Sequence, residues 1–448
     1  MKIALIVLDS VRKDHLSPYG GPIEITPTVD RVAKSGVVFT NCIAGAPWTP
    51  ASHATMFTGE YPSNHGVRAD NLAFPKTGQY LPEILSDAGI KTQCVGSEPW
   101  LSRRQGVDRG WDVFHDTGGH SPLHYLPFLP AGIRYAVDRA SNVVGTDYGT
   151  GRFSIHLFNQ LARRSDSFTF VNIPVAHSPY DAPDVFGERL NSQESVHPFV
   201  NDQEFYRYIG GERDPGPEAW ETVRERYAAG VAHADHLLKQ ALDGLDDDTW
   251  IILTADHGEH LGEDGLAVHQ FSLRDELVNV PLIVAHPSLD HDLEDRMVSH
   301  VDIAPTVYDI VRQNGFDPRP DDDLPGESLL GEGSEDRVVF SEYGPPVVAT
   351  NTLINRCERL SRDRIDEWFT GLQAAVSDKY KLIRTDDGEE ALYQRCDETT
   401  PVTVPDIAAR LRSAMENSLG PLPNVDPEVL DAYVDASVEE ELADLGYL

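Results

Sequence analysis

The stretch Ile3-Ala4-Leu5-Ile6-Val7-Leu8, with Asp9 directly after it, decides the fold. An unbroken apolar run rich in β-branched residues predicts a strand buried on both faces, as in parallel sheets. Asp9 then stands at the strand's carboxyl end, where open α/β sheets place their ligands. The pattern recurs at 168–175 (FTFVNIPV), ending near His177, and at 249–255 (TWIILTA), ending at Asp256-His257. A further run lies at 280–285 (VPLIVA). Helical patterns alternate with these strands over 27–35, 51–57, 79–88, 217–244 and 302–313. Such alternation predicts an α/β fold: a mostly parallel central sheet with helices on both faces.

Residues 100–165 and 180–216 are richer in Gly, Pro and polar residues and read as loops and insertions that wall a substrate pocket. The Pro/Gly/acidic stretch 316–335 separates a catalytic domain, 1–330, from a C-terminal subdomain, 331–448. In the latter, 337–342, 350–356, 379–384 and 391–393 read as short strands of a small antiparallel sheet in an α+β layer, and the acidic tail 427–448 as a terminal helix.

Composition narrows the function. Among 448 residues, 37 are Lys or Arg and 73 are Asp or Glu, a net charge of −36. That excludes a generic nucleic-acid binder, which needs a basic face to replace phosphate counterions, and argues against docking on anionic membranes. Only eight residues are Lys, and the acid excess runs the length of the chain, as in proteins of salt-adapted cells. The physical meaning is a heavily hydrated, halophilic surface that salt keeps from repelling itself. No apolar run approaches the ~18 residues of a membrane span. The opening MKIALIVL meets a polar run at once with no small-residue cleavage site, so a cytoplasmic protein is expected. Cys42, Cys94, Cys357 and Cys396 form no CxxC motif and read as free thiols.

Four pieces hold the chemistry. They are Leu8-Asp9-Ser10-Val11-Arg12-Lys13-Asp14; Trp48-Thr49-Pro50-Ala51-Ser52-His53 through Thr58-Gly59; His177-Ser178-Pro179-Tyr180; and Asp256-His257-Gly258-Glu259 with His269 beyond. Carboxylates and imidazoles at buried strand ends are unfavourable unless paired or metal-bound. Asp9, Asp256 and His257 offer two hard oxygens and one nitrogen to a single divalent ion, and the Thr49 hydroxyl can complete the shell; Ca, Mg, Mn and Zn all suit it. Thr49 also opens a helix, where free N–H groups and the dipole favour an oxyanion. Simpler readings exist: Asp9 as a turn carboxylate, Thr49 as an N-cap, His177 as a structural histidine, Arg12 and Asp14 as a structural pair. The order HGEH is not HExxH, so no zinc-protease helix is present.

The ordered set resembles the sulfatase family of the alkaline phosphatase superfamily over roughly residues 2–400. That family carries C/S-x-P-S-R-x-x-L-x-T-G, and counting back from Thr58-Gly59 puts Thr49 at the nucleophile, Ala51 at the Pro, Ser52 at the Ser and His53 at the Arg. The stretches 105–114 (QGVDRGWDVF) and 301–307 (VDIAPTV) also match. The resemblance implies metal ligands Asp9, Thr49, Asp256 and His257, a pocket histidine at His177, and His269 near the leaving oxygen. Trp48, His53 and Arg68 are pocket-wall candidates. Two departures stand out. Ser10 takes the place of a second ligand Asp, and Thr49 replaces the Cys or Ser that relatives oxidise to formylglycine. Threonine cannot become that aldehyde, because its Cβ carries a methyl. A phosphorylated threonine is a workable intermediate, so Thr49 tilts the expectation toward phosphoester, phosphodiester or phosphonate ester hydrolysis over sulfate. The expected substrate is a small anionic ester, such as a sulfated or phosphorylated glycan or lipid precursor. Two rivals remain open: a phosphotransferase using the same site with an alcohol acceptor, and a non-catalytic anion-binding protein on a degenerate fold.

Overall fold

The computed structural model describes residues 1–22, 25–117, 150–180, 182–189, 201–320, 324–395 and 397–423. The run that opens the chain forms β1 (Lys2–Leu8), and residues 3–8 are wholly interior. Seven further strands join it: β2 (Gly36–Ile43), β3 (Lys91–Gly96), β4 (Val113–Asp116), β5 (Ser167–Ile173), β6 (Thr249–Thr254), β9 (Asn279–Ala285) and β10 (Asp292–Ser299). Their order is β10-β2-β9-β6-β1-β5-β3-β4. Only β9 runs against the rest, pairing antiparallel with both β2 and β6. The sheet is therefore mostly parallel, as the alternation predicts.

Register explains why distant residues meet. β1 lies between β5 and β6, with Leu8 opposite Ile173 and Val7 opposite Thr254. The residues just past these pairs, Asp9 and Asp256, leave adjacent strands at the same edge. Helices pack against the sheet, among them Pro27–Ala33, Thr49–Thr58, Thr150–Leu161, Pro217–Leu242 and Ile303–Gln313. Asp235 of the long helix accepts from the backbone N–H groups of Thr28 and Val29 at 2.8–3.1 Å, capping the first helix from outside. No helix among the described residues is long and apolar enough to cross a membrane.

A second sheet holds β11 (Val339–Tyr343), β12 (Leu372–Val376), β13 (Tyr380–Thr385) and β14 (Glu390–Gln394), antiparallel in that order. β7 (His260–Leu261) and β8 (Ala267–Val268) make a short ribbon. The segment 350–356, expected as a strand, is instead the body of the helix Val347–Arg356. Its β-branched residues mimic a strand, but Val347 and the continuous run Ala349 to Leu353 are all buried, so no periodicity of exposure marks the helix. The region 100–165, expected as loops, supplies β4 and the helix Thr150–Leu161. The tail 427–448 and Cys396 lie outside the described residues; Cys42, Cys94 and Cys357 are free thiols. The small sheet does not stand apart: Val339, Tyr343, Ala374 and Val376 share one apolar cluster with Ile43, Trp48 and Ala51.

Candidate active site

Asp9 is wholly buried. Its Oδ1 accepts from Ser10 Oγ at 2.8 Å and its Oδ2 from Asn172 Nδ2 at 3.0 Å. Ser10 adopts φ 59°, a left-handed turn that carries the chain off β1 and brings its backbone N–H within 3.1 Å of Asp256 Oδ1. Asp256 Oδ1 also accepts from His257 N at 2.9 Å. The ring of His257 is fixed by its own neighbour: Nδ1 donates to Gly258 O at 2.8 Å, which leaves the lone pair on Nε2. Gly258 is required there, since a Cβ would sit 1.9 Å from Glu276 O.

The helix Thr49–Thr58 is buried along its whole length. Trp48 occupies its N-cap position, and no side chain caps it. Thr49 is therefore the first helical residue and not the cap, and its Oγ1 meets His257 Nε2 at 3.2 Å. Beneath it, Ser52 Oγ donates to Asp256 O at 2.7 Å and contacts His300 Nδ1 at 3.0 Å, tying the helix start to the end of β6.

One Asp9 oxygen, one Asp256 oxygen and one His257 nitrogen lie within 4.8 Å of one another. Asp256 Oδ2 is buried and, among the described residues, has no hydrogen-bond donor. Burial and the neighbouring Asp9 push the Asp256 carboxyl well above the usual carboxylate range, and burial pushes the His257 imidazole down to about 4. Both shifts arise because two buried carboxyl groups and an imidazole crowd one point, and a divalent ion bound there would compensate all three. The donor set and the unpartnered oxygen fit such an ion.

Two more imidazoles border the site. The rings of His177 and His269 are 4.9 Å apart, and His269 is 4.5 Å from His257. His177 Nδ1 donates to Ser178 O at 2.5 Å, which fixes the orientation of the ring. Burial pushes the His177 imidazole down, but the carboxylates of Asp9, Glu259 and Asp202 and the hydrogen bond to Ser178 O together raise it above its ordinary value. His269 Nδ1 is 3.3 Å from the buried Glu259 Oε1, yet burial and the facing imidazoles of His257 and His177 hold His269 well below its ordinary value.

The structure thus brings together Asp9, Thr49, Asp256, His257, His177 and His269, and Trp48 lines the cavity over Thr49. His53 is no wall. It is wholly buried behind the helix, with Nδ1 on Thr49 O at 2.8 Å and its ring against Phe170. Arg68 is held by Asp70 at 3.0 Å and does not line that cavity. Arg12 pairs with Asp14 and Glu263, a structural role. Sequence reasoning missed Asn172, Trp100, Tyr206 and Tyr343. Asn172 carried a signal, the lone amide within an apolar strand run; Tyr343 carried none, because it arrives from the second sheet.

A hydroxyl at a helix start, a carboxylate–imidazole cluster and two neighbouring histidines thus stand together at one edge of the sheet. Residues 2–312 match the Sulfatase family profile, and the chain belongs to the sulfatase family. It is 24% identical over 445 residues to the uncharacterized sulfatase YidJ of Escherichia coli, covering 92% of this chain and 85% of that protein. It is 26% identical over 305 residues to an ulvan-active sulfatase of Formosa agariphila, covering 64% and 56%. The fold is similar to that of the phosphonate monoester hydrolase from Silicibacter pomeroyi, at TM-score 0.68 and 17% identity over 93% of this chain and 94% of that one.

Proposed function

We propose that this sulfatase-family hydrolase cleaves phosphorus esters, with phosphate mono- or diesters or phosphonate esters preferred over sulfate esters, and that Thr49 is its nucleophile. The observation that supports this reading is Thr49 Oγ1 within 3.2 Å of His257 Nε2, inside the cluster of Asp9, Asp256 and His257. Asp9, Asp256 and His257 would hold a divalent ion, which when bound supplies positive charge to the ester's anionic oxygens and to the Thr49 oxygen.

The chain's own residues do the rest. The uncapped start of the helix Thr49–Thr58 presents N–H groups to the anionic ester. Thr49 Oγ1 attacks phosphorus in line and its proton leaves to solvent; the Thr–O–P bond forms as the bond to the leaving oxygen breaks. His177, oriented through Nδ1 by Ser178 O, donates a proton from Nε2 to that oxygen. Glu259 orients His269 beside it. Water, giving a proton to the now neutral His177, then attacks phosphorus; the Thr–O–P bond breaks and the Thr49 oxygen takes a proton back from solvent. A sulfated threonine lacks the second hydroxyl through which a formylglycine hydrate eliminates sulfate, so the methyl-bearing Thr49 favours phosphorus.

A panel of sulfate, phosphate monoester, phosphate diester and phosphonate esters, each run with Ca, Mg, Mn and Zn, tests this. Phosphorus esters should give the highest kcat/KM. A clear preference for sulfate esters would overturn the reading.

A further inference from the structure

Lys381, on β13 of the second sheet, is wholly buried. Its Nζ donates to Leu273 O at 3.0 Å and to Asp275 Oδ1, and it stands 2.6 Å from Glu398 Oε1. Taking an ammonium and its carboxylates out of water is unfavourable, and an apolar side chain would fill the space without that penalty. Apolar packing already joins the two sheets here: Leu273, Leu277 and Val278 share a cluster with Tyr343, Ala374 and Val376. The ion pairs therefore add direction. Apolar contact does not fix how one element slides or turns on another, whereas hydrogen bonds do.

What they fix is the one-turn helix Asp275–Val278. Arg395 Nη2 donates to Asp275 Oδ2 at 3.0 Å, and Asp275 N donates to Glu398 Oε2 at 2.9 Å. The first residue of the turn is thus held by Lys381, Arg395 and Glu398, on the second sheet or just after it. The last two residues of the turn reach the candidate site. Leu277 O accepts from Gly258 N at 2.7 Å, and Val278 O accepts from Ala44 N at 2.7 Å. Gly258 O accepts in turn from His257 Nδ1 at 2.8 Å. Ala44 begins the short loop between β2 and Thr49, and the next carbonyl, Gly45 O, accepts from Glu342 N of β11 at 2.9 Å. One turn of helix therefore sets where both His257 and the segment entering Thr49 lie.

We propose that Lys381 is a positioning residue of this hydrolase: by holding the turn 275–278 in register, it fixes His257 against Thr49. The inference rests on the proposed function for its effect on turnover, whereas its effect on the cluster of Asp9, Asp256 and His257 is read without substrate.

The test loads the full chain with Co²⁺, whose visible absorption reports the geometry of its ligands, and measures Co²⁺ affinity by calorimetry. Asp256→Asn identifies the bands that belong to the cluster by removing them. Lys381→Met/Glu398→Gln, which takes out two opposite buried charges together, should bind Co²⁺ about tenfold more weakly with shifted bands, the size of effect given by groups that orient metal ligands. Its kcat on the best phosphorus ester should fall about tenfold with KM nearly unchanged. Asp275→Asn is nearly isosteric and only partly buried, and its amide N–H groups must face either Lys381 or Arg395, so one contact is lost. It should shift the same bands in the same direction, and it decides the matter alone if the double variant does not fold. Leu382→Ala is the control: it opens a cavity on the opposite face of the same strand, in the cluster of Phe340 and Met415. It should lower Tm and leave the Co²⁺ bands and kcat as in wild type. Unchanged bands and affinity in the Lys381 and Asp275 variants, or equal shifts in Leu382→Ala, would overturn the inference and leave the Thr49 mechanism standing. Weakened, shifted Co²⁺ binding in those variants, with no turnover of any phosphorus ester even by wild type, upholds the positioning role and overturns the proposed function.

Discussion

The hydroxyl of Thr49 lies 3.2 Å from Nε2 of His257, although the two residues are 208 apart in the chain. The contact places the first residue of one helix at the carboxyl edge of β6, where Asp256 and His257 leave the sheet. The Thr49 hydroxyl is therefore no helix cap, and it meets the carboxylate–imidazole cluster instead.

Divalent metal should stabilise the fold through that cluster. At a concentration about a hundred times the dissociation constant, linkage predicts roughly 2.7 kcal/mol. Thermal melts with and without chelator should show a clear rise in Tm with metal. Asp9→Asn and Asp256→Asn should abolish the rise, and a rise that persists in both would place the ion elsewhere.

Asp302, itself buried, and the partly buried Arg337 form a two-point ion pair, Nη1 to Oδ2 at 2.7 Å and Nη2 to Oδ1 at 2.6 Å. Asp302 also accepts from Ser299 N and Glu327 N, both at 2.8 Å. It thereby joins β10, the helix Ile303–Gln313 and the segment leading to β11. Arg337→Met should cost about 3–5 kcal/mol, because it leaves a buried carboxylate uncompensated. Adding Asp302→Asn to it should restore part of the loss in urea titrations; additive losses would show that the pairing itself contributes little.

Lys13 gives a stability dependence of known sign. Its Nζ donates to Thr40 O at 2.9 Å and Asn279 Oδ1 at 2.8 Å, and burial lowers its pKa to about 8. Between about pH 8 and the ordinary lysine value near 10.4, the unfolded chain binds the proton that the folded chain has released, so folding stability gains as pH rises through that window. The difference in unfolding free energy between wild type and Lys13→Met should move in favour of wild type from pH 8 to 10. A flat or falling difference would contradict the assignment.

The net charge of −36 predicts self-repulsion that ions screen. Tm should rise from dilute to molar NaCl. A flat profile would contradict the halophilic reading of the composition.

Much of the site was legible because strands β1 and β6 announce themselves as apolar runs and the functional residues follow them directly. Asp9, Asp256 and His257 needed only the rule that parallel strands end together. The edge strands were not legible: β4 is only four residues long, and Glu294 and Arg296 on β10 break the apolar run. Nor were the cavity's walls. Trp100 and Tyr206 come from the two stretches expected to supply them, but Tyr343 and Val348 come from beyond the linker, and no local pattern states which face the second sheet presents. His53 was misplaced because a helix periodicity gives its spacing from Thr49 but not which side of the helix the sheet covers. Its contact with Phe170 of β5 settles that.

The most direct test of the account is the turnover of Thr49→Ala on the best phosphorus ester. Because Trp48 and not Thr49 holds the N-cap position, the variant should fold with a nearly unchanged Tm. Its kcat should fall by at least about a thousandfold, the covalent route being gone, while Thr49→Ser retains a measurable part. Near-normal turnover by Thr49→Ala would contradict the assignment of Thr49 as nucleophile.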